Sequence, residues 1–166
     1  LFASTLFVPH IQKLNLENLC IASPDMGGTK RANSYAKYLN TDVVVCYKHR
    51  DKANEVSKMM LIGDVKGKNV VLVDDMVDTA GTLTRAADLM IENGANTVRA
   101  CCTHAILTGN AYERINNSQL SELIVTDTLK KEHKSEKVKV IEIGNLFADT
   151  IDRVINKQSI SSNFIN

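Results

Sequence analysis

The sequence lacks a long hydrophobic run, an excess of charge of one sign and a leader-like start, and each absence excludes a class of protein. No apolar stretch reaches the roughly 18 residues of a membrane-spanning helix, and no basic start leads into an apolar run as in a signal peptide. Twenty basic and 19 acidic residues leave a formal charge of +1, so no global field favours nucleic acid or an anionic membrane. We therefore expect a cytoplasmic protein that binds neither nucleic acid nor membrane.

The sequence also lacks any paired-cysteine motif. Its four cysteines lie in apolar runs without CxxC spacing, at Cys20, Cys46, Cys101 and Cys102. This placement argues against a disulfide framework and against a zinc site. It predicts buried thiols in a reducing compartment.

Short β-branched apolar runs alternate with amphipathic stripes along the chain. The apolar runs predict strands near residues 19–23, 43–47, 70–73, 97–103, 123–126 and 138–143. Apolar residues at helical spacing predict helices near residues 1–15, 32–39, 83–91 and 147–155. Alternating strands and helices predict an α/β fold with a mainly parallel sheet, in which ligands bind beyond the carboxyl ends of the strands.

The segment VVLVDDMVDTAGT at residues 70–82 is the most informative motif. It places Asp74, Asp75 and Asp78 at the end of an apolar strand, where clustered carboxylates repel unless a cation, sugar hydroxyls or backbone donors balance them. Small residues then open a helix, whose free N–H groups and positive dipole end form a phosphate cradle. An acid pair beside such a cradle suits a phosphorylated sugar. The alternative is that Asp78 and Thr79 cap the helix and the acid pair is merely solvated.

Two further loops carry weaker patterns. In PDMGGTKR at residues 24–31, Gly27 and Gly28 would let backbone N–H groups approach an anion while Asp25 holds Mg²⁺, although a glycine turn before a capping threonine explains the pattern almost as well. KHRDK at residues 48–52 is either a charged hairpin tip, which the residues alone favour, or a lid whose cations close over a transferring phosphoryl group.

These motifs resemble those of one family. VVLVDDMVDTAGT resembles the phosphoribosyl-diphosphate (PRPP) loop of type I phosphoribosyltransferase-fold proteins, and its neighbours narrow the likeness to ribose-phosphate diphosphokinases, also called PRPP synthetases. ASPDMGGTKRA resembles the pyrophosphate loop of that family, and KHRDKANEV resembles its flexible catalytic loop. THAILTGNAYERI, LIVTDT and SISSNF also have family counterparts, so the likeness covers nearly the whole chain.

The resemblance implies a reaction and a fold. It implies transfer of the diphosphoryl group of ATP to O1 of ribose 5-phosphate, which gives PRPP and AMP with Mg²⁺. It implies a three-layer, mainly parallel twisted sheet with helices on both faces. Full-length family members carry a further N-terminal domain with most of the ATP site. We therefore expect residues 1–166 to be a single C-terminal domain that is inactive alone and forms a homo-oligomer in the full-length protein.

The resemblance also implies roles for particular residues. Lys48 and Arg50 would be the catalytic pair, and Asp25 would bind Mg²⁺ in the pyrophosphate loop with Gly27 and Gly28. The PRPP loop would bind ribose 5-phosphate, with Asp74 and Asp75 at the ribose hydroxyls and Asp78, Thr79, Ala80, Gly81 and Thr82 at the 5-phosphate. The tail would add a regulatory anion site at Ser159 and Ser161.

Two alternatives and one departure stay open. A phosphoribosyltransferase shares the acid-pair loop, but we find no segment for the hood that recognises a base. A non-catalytic PRPP-sensing subunit would keep the fold without the chemistry, and the presence of Lys48 and Arg50 weighs against it. Ala105 and Asn110 stand where the family usually has Gly and Pro, which predicts a different loop shape after His104, a residue we expect to be structural.

Overall fold

The computed structural model describes residues 1–49 and 58–164, and all the strands and helices that the sequence predicts are present there. In chain order the elements are α1 (Ser4–Lys13), β1 (Leu19–Ser23), α2 (Thr29–Leu39), β2 (Asp42–His49), β3 (Lys58–Ile62), β4 (Asn69–Val77), α3 (Gly81–Glu92), β5 (Thr97–Ala105), α4 (Ala111–Asn117), β6 (Leu120–Thr126), β7 (Val138–Ile141) and α5 (Gly144–Ile155), followed by a short 3₁₀ turn at Ser161–Asn163.

The seven strands form one sheet in the order β3-β2-β1-β4-β5-β6-β7. All neighbouring pairs are parallel except β2 and β3, which are antiparallel. The chain moves outward from β1 to β2 on one side and from β4 to β5 on the other, so the strand order reverses between β1 and β4. Such a reversal opens a crevice at the carboxyl ends of the two strands, which is the usual ligand site of these sheets.

Helices cover both faces of the sheet. Along β4, Leu72 faces a cluster that includes Met90 of α3, whereas the next residue, Val73, faces a cluster with Phe7 of α1 and Tyr35 of α2. Successive strand residues point to opposite faces, so a strand buried on both sides has no polar alternation. The prediction of a three-layer, mainly parallel α/β fold is therefore confirmed.

All four cysteines are buried and free, as their apolar surroundings predict. Burial raises the pKa of the Cys20 thiol to about 11, with the Lys68 charge opposing the shift, and it raises the pKa of Cys46 to about 11. Desolvation raises the pKa of Cys101 and Cys102 as well. The thiols are therefore neutral core residues at neutral pH.

Several element boundaries differ from the sequence-based prediction, and two elements, the edge strand β3 and the short helix α4, were not predicted. Strand β4 does not end at Val73 but continues through the acid pair to Val77, because its backbone ladder with β5 continues and pairs Asp74 with Cys102. Strand β7 ends at Ile141, two residues earlier than predicted. Helix α4 was not predicted, because its seven residues bury only Ala111 and Ile115 and so lack a periodic stripe.

The last helix, α5, is present, but its apolar stripe faces outward. Phe147, Ile151 and Val154 are 48%, 57% and 59% exposed, and no residue of this helix is buried. The stripe therefore predicted the helix correctly without indicating that it packs on the sheet. In the described part of the chain, no helix combines the length and the apolar character needed to cross a membrane.

Candidate functional site

A cavity of about 270 Å³ lies at the carboxyl ends of β1 and β4. Asp25, from the loop after β1, lines one part of it, and the remaining lining residues are 74–83, which run from the end of β4 into α3. Two motifs that are distant in the sequence therefore border a single cavity, at the point where the strand order reverses.

Arg31 of α2 binds both carboxylates of the acid pair. Its Nη1 lies 2.8 Å from Oδ1 of Asp74, and its Nη2 lies 2.9 Å from Oδ2 of Asp75. The Asp75 N–H donates to Oδ1 of Asp74, and the Met76 N–H donates to Oδ1 of Asp75, each at 2.9 Å. The cation and backbone donors that the acid pair requires are thus present within the protein. The motif PDMGGTKR contains Arg31, but its local pattern does not indicate this role.

The two carboxyls of the pair titrate differently. Burial raises the pKa of Asp74 to about 6, against the opposing effects of the Asp75 N–H and the Arg31 charge. Burial acts in the same direction on Asp75, but the Arg31 guanidinium and the hydrogen bonds to this carboxylate outweigh it and hold the pKa of Asp75 below its usual value. At neutral pH both groups are ionised, and a modest acidification protonates Asp74 first.

The turn into α3 presents a row of unbonded N–H groups. Ala80 adopts a left-handed conformation with φ of 59°, which is uncommon for a residue with a side chain, and α3 begins at the next residue. The N–H groups of Thr79, Ala80, Gly81 and Thr82 donate no hydrogen bond to any residue in the described ranges. Together with the positive end of the helix dipole, they form a site suited to an anion.

The alternative of a capped helix does not describe this turn. Ala80 at the N-cap has no side-chain acceptor, and no other side chain in residues 1–49 and 58–164 accepts a hydrogen bond from the first N–H groups of α3. Instead, the carboxylate of Asp78 accepts a short hydrogen bond from the Thr108 hydroxyl, away from the helix axis. The N–H groups at the start of α3 consequently stay free for a ligand.

A second layer of residues holds the outer side of the same turn. The carbonyls of Val77 and Asp78 accept hydrogen bonds from the N–H groups of Leu107 and Thr108, each at 3.1 Å. The carbonyl of Thr79 accepts one from Nη1 of Arg114 at 2.8 Å. These three residues lie in the segment THAILTGNAYERI, whose local pattern does not indicate that they support the turn.

The glycine-rich loop after β1 is organised around Asp25. Its Oδ1 accepts a hydrogen bond from the Gly28 N–H at 3.0 Å, and its carbonyl accepts one from the Ser23 hydroxyl at 2.6 Å. A Cβ at position 28 would lie 2.5 Å from Oγ of Ser23, so any larger residue there would force the Ser23 side chain or the loop to shift, whereas a Cβ on Gly27 would lie 3.3 Å from the Asp25 carboxylate. The Gly28 N–H is engaged within the loop, and the described contacts of the Asp25 side chain use only one of its two oxygens.

Other predicted residues lie away from this cavity or outside the description. Arg50 and the side chain of Lys48 are not among the described groups, although the backbone of Lys48 belongs to β2. The hydroxyls of Ser159 and Ser161 lie 2.9 Å apart on the exposed tail and do not line the cavity. His104 is hydrogen-bonded through Nδ1 to the Thr128 hydroxyl at 2.9 Å, which agrees with a structural role.

Comparisons of sequence place the chain in one family. Residues 50–165 match the phosphoribosyl synthetase-associated domain. The chain is 53% identical over 163 residues to a ribose-phosphate pyrophosphokinase of Porphyromonas gingivalis, a match that covers 98% of the chain and 52% of that protein. A Bacillus subtilis protein of the same name is 46% identical over 149 residues, 89% of the chain and 47% of that protein. The chain thus spans about half the length of these curated relatives.

Solved structures agree with this assignment. The phosphoribosylpyrophosphate synthetase of Mycobacterium smegmatis superposes with a TM-score of 0.84 at 31% identity, over 93% of the chain and 51% of that protein. An adenine phosphoribosyltransferase superposes with a TM-score of 0.59 at 16% identity, over 74% of the chain and 76% of that protein, which shows a shared fold alone. The chain belongs to the phosphoribosyl synthetase-associated domain family.

Proposed function

We propose that this chain is the C-terminal half of a ribose-phosphate diphosphokinase and contributes its ribose 5-phosphate site. The observation that carries the proposal is the single cavity bordered by an acid pair and by four free N–H groups. Curated relatives at 42% identity or more are named ribose-phosphate pyrophosphokinase, which supports transfer of diphosphate from ATP to O1 of ribose 5-phosphate.

The two parts of the cavity suit the two ends of the sugar phosphate. Carboxylates accept hydrogen bonds only, so ionised Asp74 and Asp75 would accept from the ribose hydroxyls. The N–H groups of Thr79, Ala80, Gly81 and Thr82 would donate to the 5-phosphate, whose charge the helix dipole favours. Asp78 would contribute by holding the turn through its bond to Thr108.

Asp25 is the proposed Mg²⁺ ligand. Its exposed carboxylate lines the same cavity and contributes a hard oxygen donor. Among the residues that the structure describes, no group of three or more acidic, histidine or cysteine side chains is placed to hold a metal. Mg²⁺ commonly binds to one or two carboxylates together with substrate phosphate oxygens, so Asp25 alone could serve as its protein ligand. When bound, Mg²⁺ would neutralise charge on the transferring diphosphoryl group.

The catalytic pair of this proposal is Lys48 and Arg50. Transfer of a phosphoryl group needs positioning and charge neutralisation more than covalent chemistry, and two cations that arrive with the substrate supply both. Strand β2, which carries Lys48, neighbours β1, and the Asp25 loop follows β1. The parallel pairing of β1 and β2 supports the proposal for Lys48, because the carboxyl ends of parallel strands share one edge of a sheet.

The proposal extends to the rest of the full-length protein. The resemblance to the family implies that the missing half supplies most of the ATP site, so the isolated chain would be inactive. It also implies a homo-oligomer, and the exposed apolar stripe of α5 supports a surface that another part of the assembly covers. Ser159 and Ser161 remain the proposed regulatory anion site.

The direct experiment compares the 166-residue chain with a full-length protein that contains it. Each is incubated with ATP, ribose 5-phosphate and Mg²⁺, and the formation of AMP and PRPP is measured by chromatography. We expect both products in equal amounts from the full-length protein and neither from the chain alone. Consumption of PRPP in the presence of a purine base, without formation of AMP from ATP, would instead identify a phosphoribosyltransferase.

A further inference from the structure

We infer that Arg114 is a positioning residue for the phosphate cradle. Its hydrogen bond to the Thr79 carbonyl fixes the peptide orientation in the turn at residues 78–81. The inference rests on the proposed ribose 5-phosphate site and assigns a role to a side chain that contacts the back of the turn and does not line the cavity.

The argument starts from the geometry of the peptide unit. In a trans peptide, the C=O of one residue and the N–H of the next point in opposite directions. A carbonyl that is held on one side of a turn therefore directs the following N–H to the other side. The carbonyl orientations in the turn decide whether it presents donors or acceptors to the cavity.

Three successive carbonyls of the turn each accept a hydrogen bond from within the protein. Asp78 C=O accepts from the N–H of Thr108 at 3.1 Å, Thr79 C=O accepts from Nη1 of Arg114 at 2.8 Å, and Ala80 C=O accepts from the N–H of Thr84 at 2.9 Å. The next N–H groups, those of Thr79, Ala80 and Gly81, consequently point the other way. These are the same N–H groups that lack a partner among the described residues.

The bond from Arg114 is the one with no backbone substitute. Thr108 and Thr84 donate from their own main chains, so their bonds survive most substitutions, whereas the Thr79 carbonyl depends on a side chain. Its peptide leads into Ala80, whose left-handed φ of 59° is sterically costly and persists only where surrounding contacts enforce it. Without Arg114, the peptide between Thr79 and Ala80 is free to rotate and turn its carbonyl toward the anion.

The charge and the fit of Arg114 support the same role. A Cβ at position 81 would lie 3.3 Å from its Nη1, so the guanidinium packs closely behind the cradle, with glycine allowing the approach. Arg114 is otherwise exposed on α4, so its replacement leaves the core intact. A cation at this distance also favours an anion in the cradle.

The test compares Arg114→Met and Arg114→Lys with a matched control, Arg85→Met. Arg85 is also an exposed arginine beside the cradle, and its Nε donates to the Gly81 carbonyl at 2.9 Å. That carbonyl is the first of α3 and has the bond of the helix itself as an alternative. Arg85→Met therefore removes the same charge without freeing a peptide of the turn.

Two measurements on the 166-residue chain are needed. Titration calorimetry with ribose 5-phosphate gives the affinity, and amide proton shifts of residues 79–82 during the same titration show which N–H groups meet the phosphate. We expect Arg114→Met to weaken binding by about tenfold, the effect of losing a hydrogen bond from a charged group, and to abolish the shift of the Ala80 N–H. Arg114→Lys should restore most of both, and Arg85→Met should behave as wild type with an unchanged melting temperature.

The outcomes separate this inference from the function on which it rests. If the wild-type chain fails to bind ribose 5-phosphate, the proposed function is wrong. If the wild type binds and Arg114→Met binds equally well, the function stands and the role of Arg114 is refuted. Equal losses of affinity in Arg114→Met and Arg85→Met would show that only the positive charge matters, and would refute the positioning role. A loss of affinity in Arg114→Lys as large as in Arg114→Met would refute it too, because the lysine ammonium should still donate the one hydrogen bond to the Thr79 carbonyl.

Discussion

The guanidinium of Arg31 lies 2.8 Å from Oδ1 of Asp74, so that the helix after the glycine-rich loop is tied to the end of the neighbouring strand. This ion pair joins the two halves of the candidate site. It also places a cation against carboxylates that would otherwise repel each other at close range. One guanidinium thus offsets one of the two negative charges of the acid pair, and backbone N–H groups donate to both carboxylates.

The pH dependence of binding should reveal the titration of Asp74. Because burial raises its pKa to about 6, acidification from pH 7 to pH 5 protonates a carboxylate that would accept from a sugar hydroxyl. We expect affinity for ribose 5-phosphate to fall over this range, measured by calorimetry. Since a sugar phosphate has its own second pKa of about 6, Asp74→Asn is the control, and the difference between the two pH profiles should centre near the pKa of Asp74. Parallel profiles would contradict the assignment.

The same carboxyl should affect folding stability with the opposite sign. Its pKa is raised in the folded state, so the folded protein binds more protons than the unfolded one between the ordinary value and about 6. Stability contributed by protonated Asp74 is therefore lost as the pH rises through this window. Urea unfolding should show the wild type losing stability relative to Asp74→Asn as the pH rises from about 4 to about 6.5. This range spans the usual pKa of an aspartate and the raised pKa of Asp74. A constant difference would show that the folded pKa is unshifted.

The acid pair should matter more for binding than for folding. We expect Asp74→Asn or Asp75→Asn to weaken ribose 5-phosphate binding by about tenfold or more, because an amide presents a donor where a sugar hydroxyl needs an acceptor. Neither variant should lose more than about 1 kcal/mol of unfolding free energy at pH 7, because Asp75 is exposed and because Asn at position 74 removes a charged carboxylate that burial disfavours. Asp152→Asn on exposed α5 is the matched control, and normal binding by both site variants would leave the pair as a solvated strand end.

The contact between Gly28 and Ser23 gives a prediction on packing. Gly28→Ala would place its Cβ 2.5 Å from the Ser23 hydroxyl oxygen, so the loop that carries Asp25 must shift. We expect a loss of about 1–3 kcal/mol in unfolding free energy, the usual cost of overpacking. Ser23→Ala removes the clashing oxygen, so the double variant should recover part of this loss in a mutant cycle, and full additivity would show that the two positions do not meet.

The proposed catalytic pair gives a prediction on turnover. In the full-length protein, Lys48→Ala and Arg50→Ala should each lower kcat by about a hundredfold or more, the scale of removing a preorganised electrostatic donor. Ribose 5-phosphate should still bind, because its proposed ligands lie in the acid pair and the turn. Lys134→Ala, in the charged loop before β7, serves as a control for loss of one surface cation. Unchanged turnover would return residues 48–52 to the interpretation of a charged hairpin tip.

The sequence predicted most of the fold because its strands are nearly uninterrupted apolar runs and its main helices carry a periodic stripe. The prediction was wrong where the hydrophobic pattern of a segment does not reflect its secondary structure. Strand β4 continues through Asp74 and Asp75 because the ladder depends on backbone groups and not on apolar side chains. The short helix α4 buries too few residues to leave a pattern.

The sequence predicted which segments line the site but not the side-chain contacts between them. The residues expected to bind the sugar phosphate do line one cavity with Asp25. The contacts of Arg31 and Arg114 could not be predicted, because the partner of each lies far away in the sequence. No spacing rule connects such pairs, since only the parallel order of the strands brings them together.

The most direct measurement is titration calorimetry of the 166-residue chain with ribose 5-phosphate and, separately, with ATP, each in the presence of Mg²⁺. We predict saturable, weak binding of ribose 5-phosphate and little or no heat with ATP, because the proposed sugar site lies within this chain and the resemblance to the family implies that most of the ATP site lies in a further domain. Tight binding of ATP with no detectable binding of ribose 5-phosphate would contradict the proposed site.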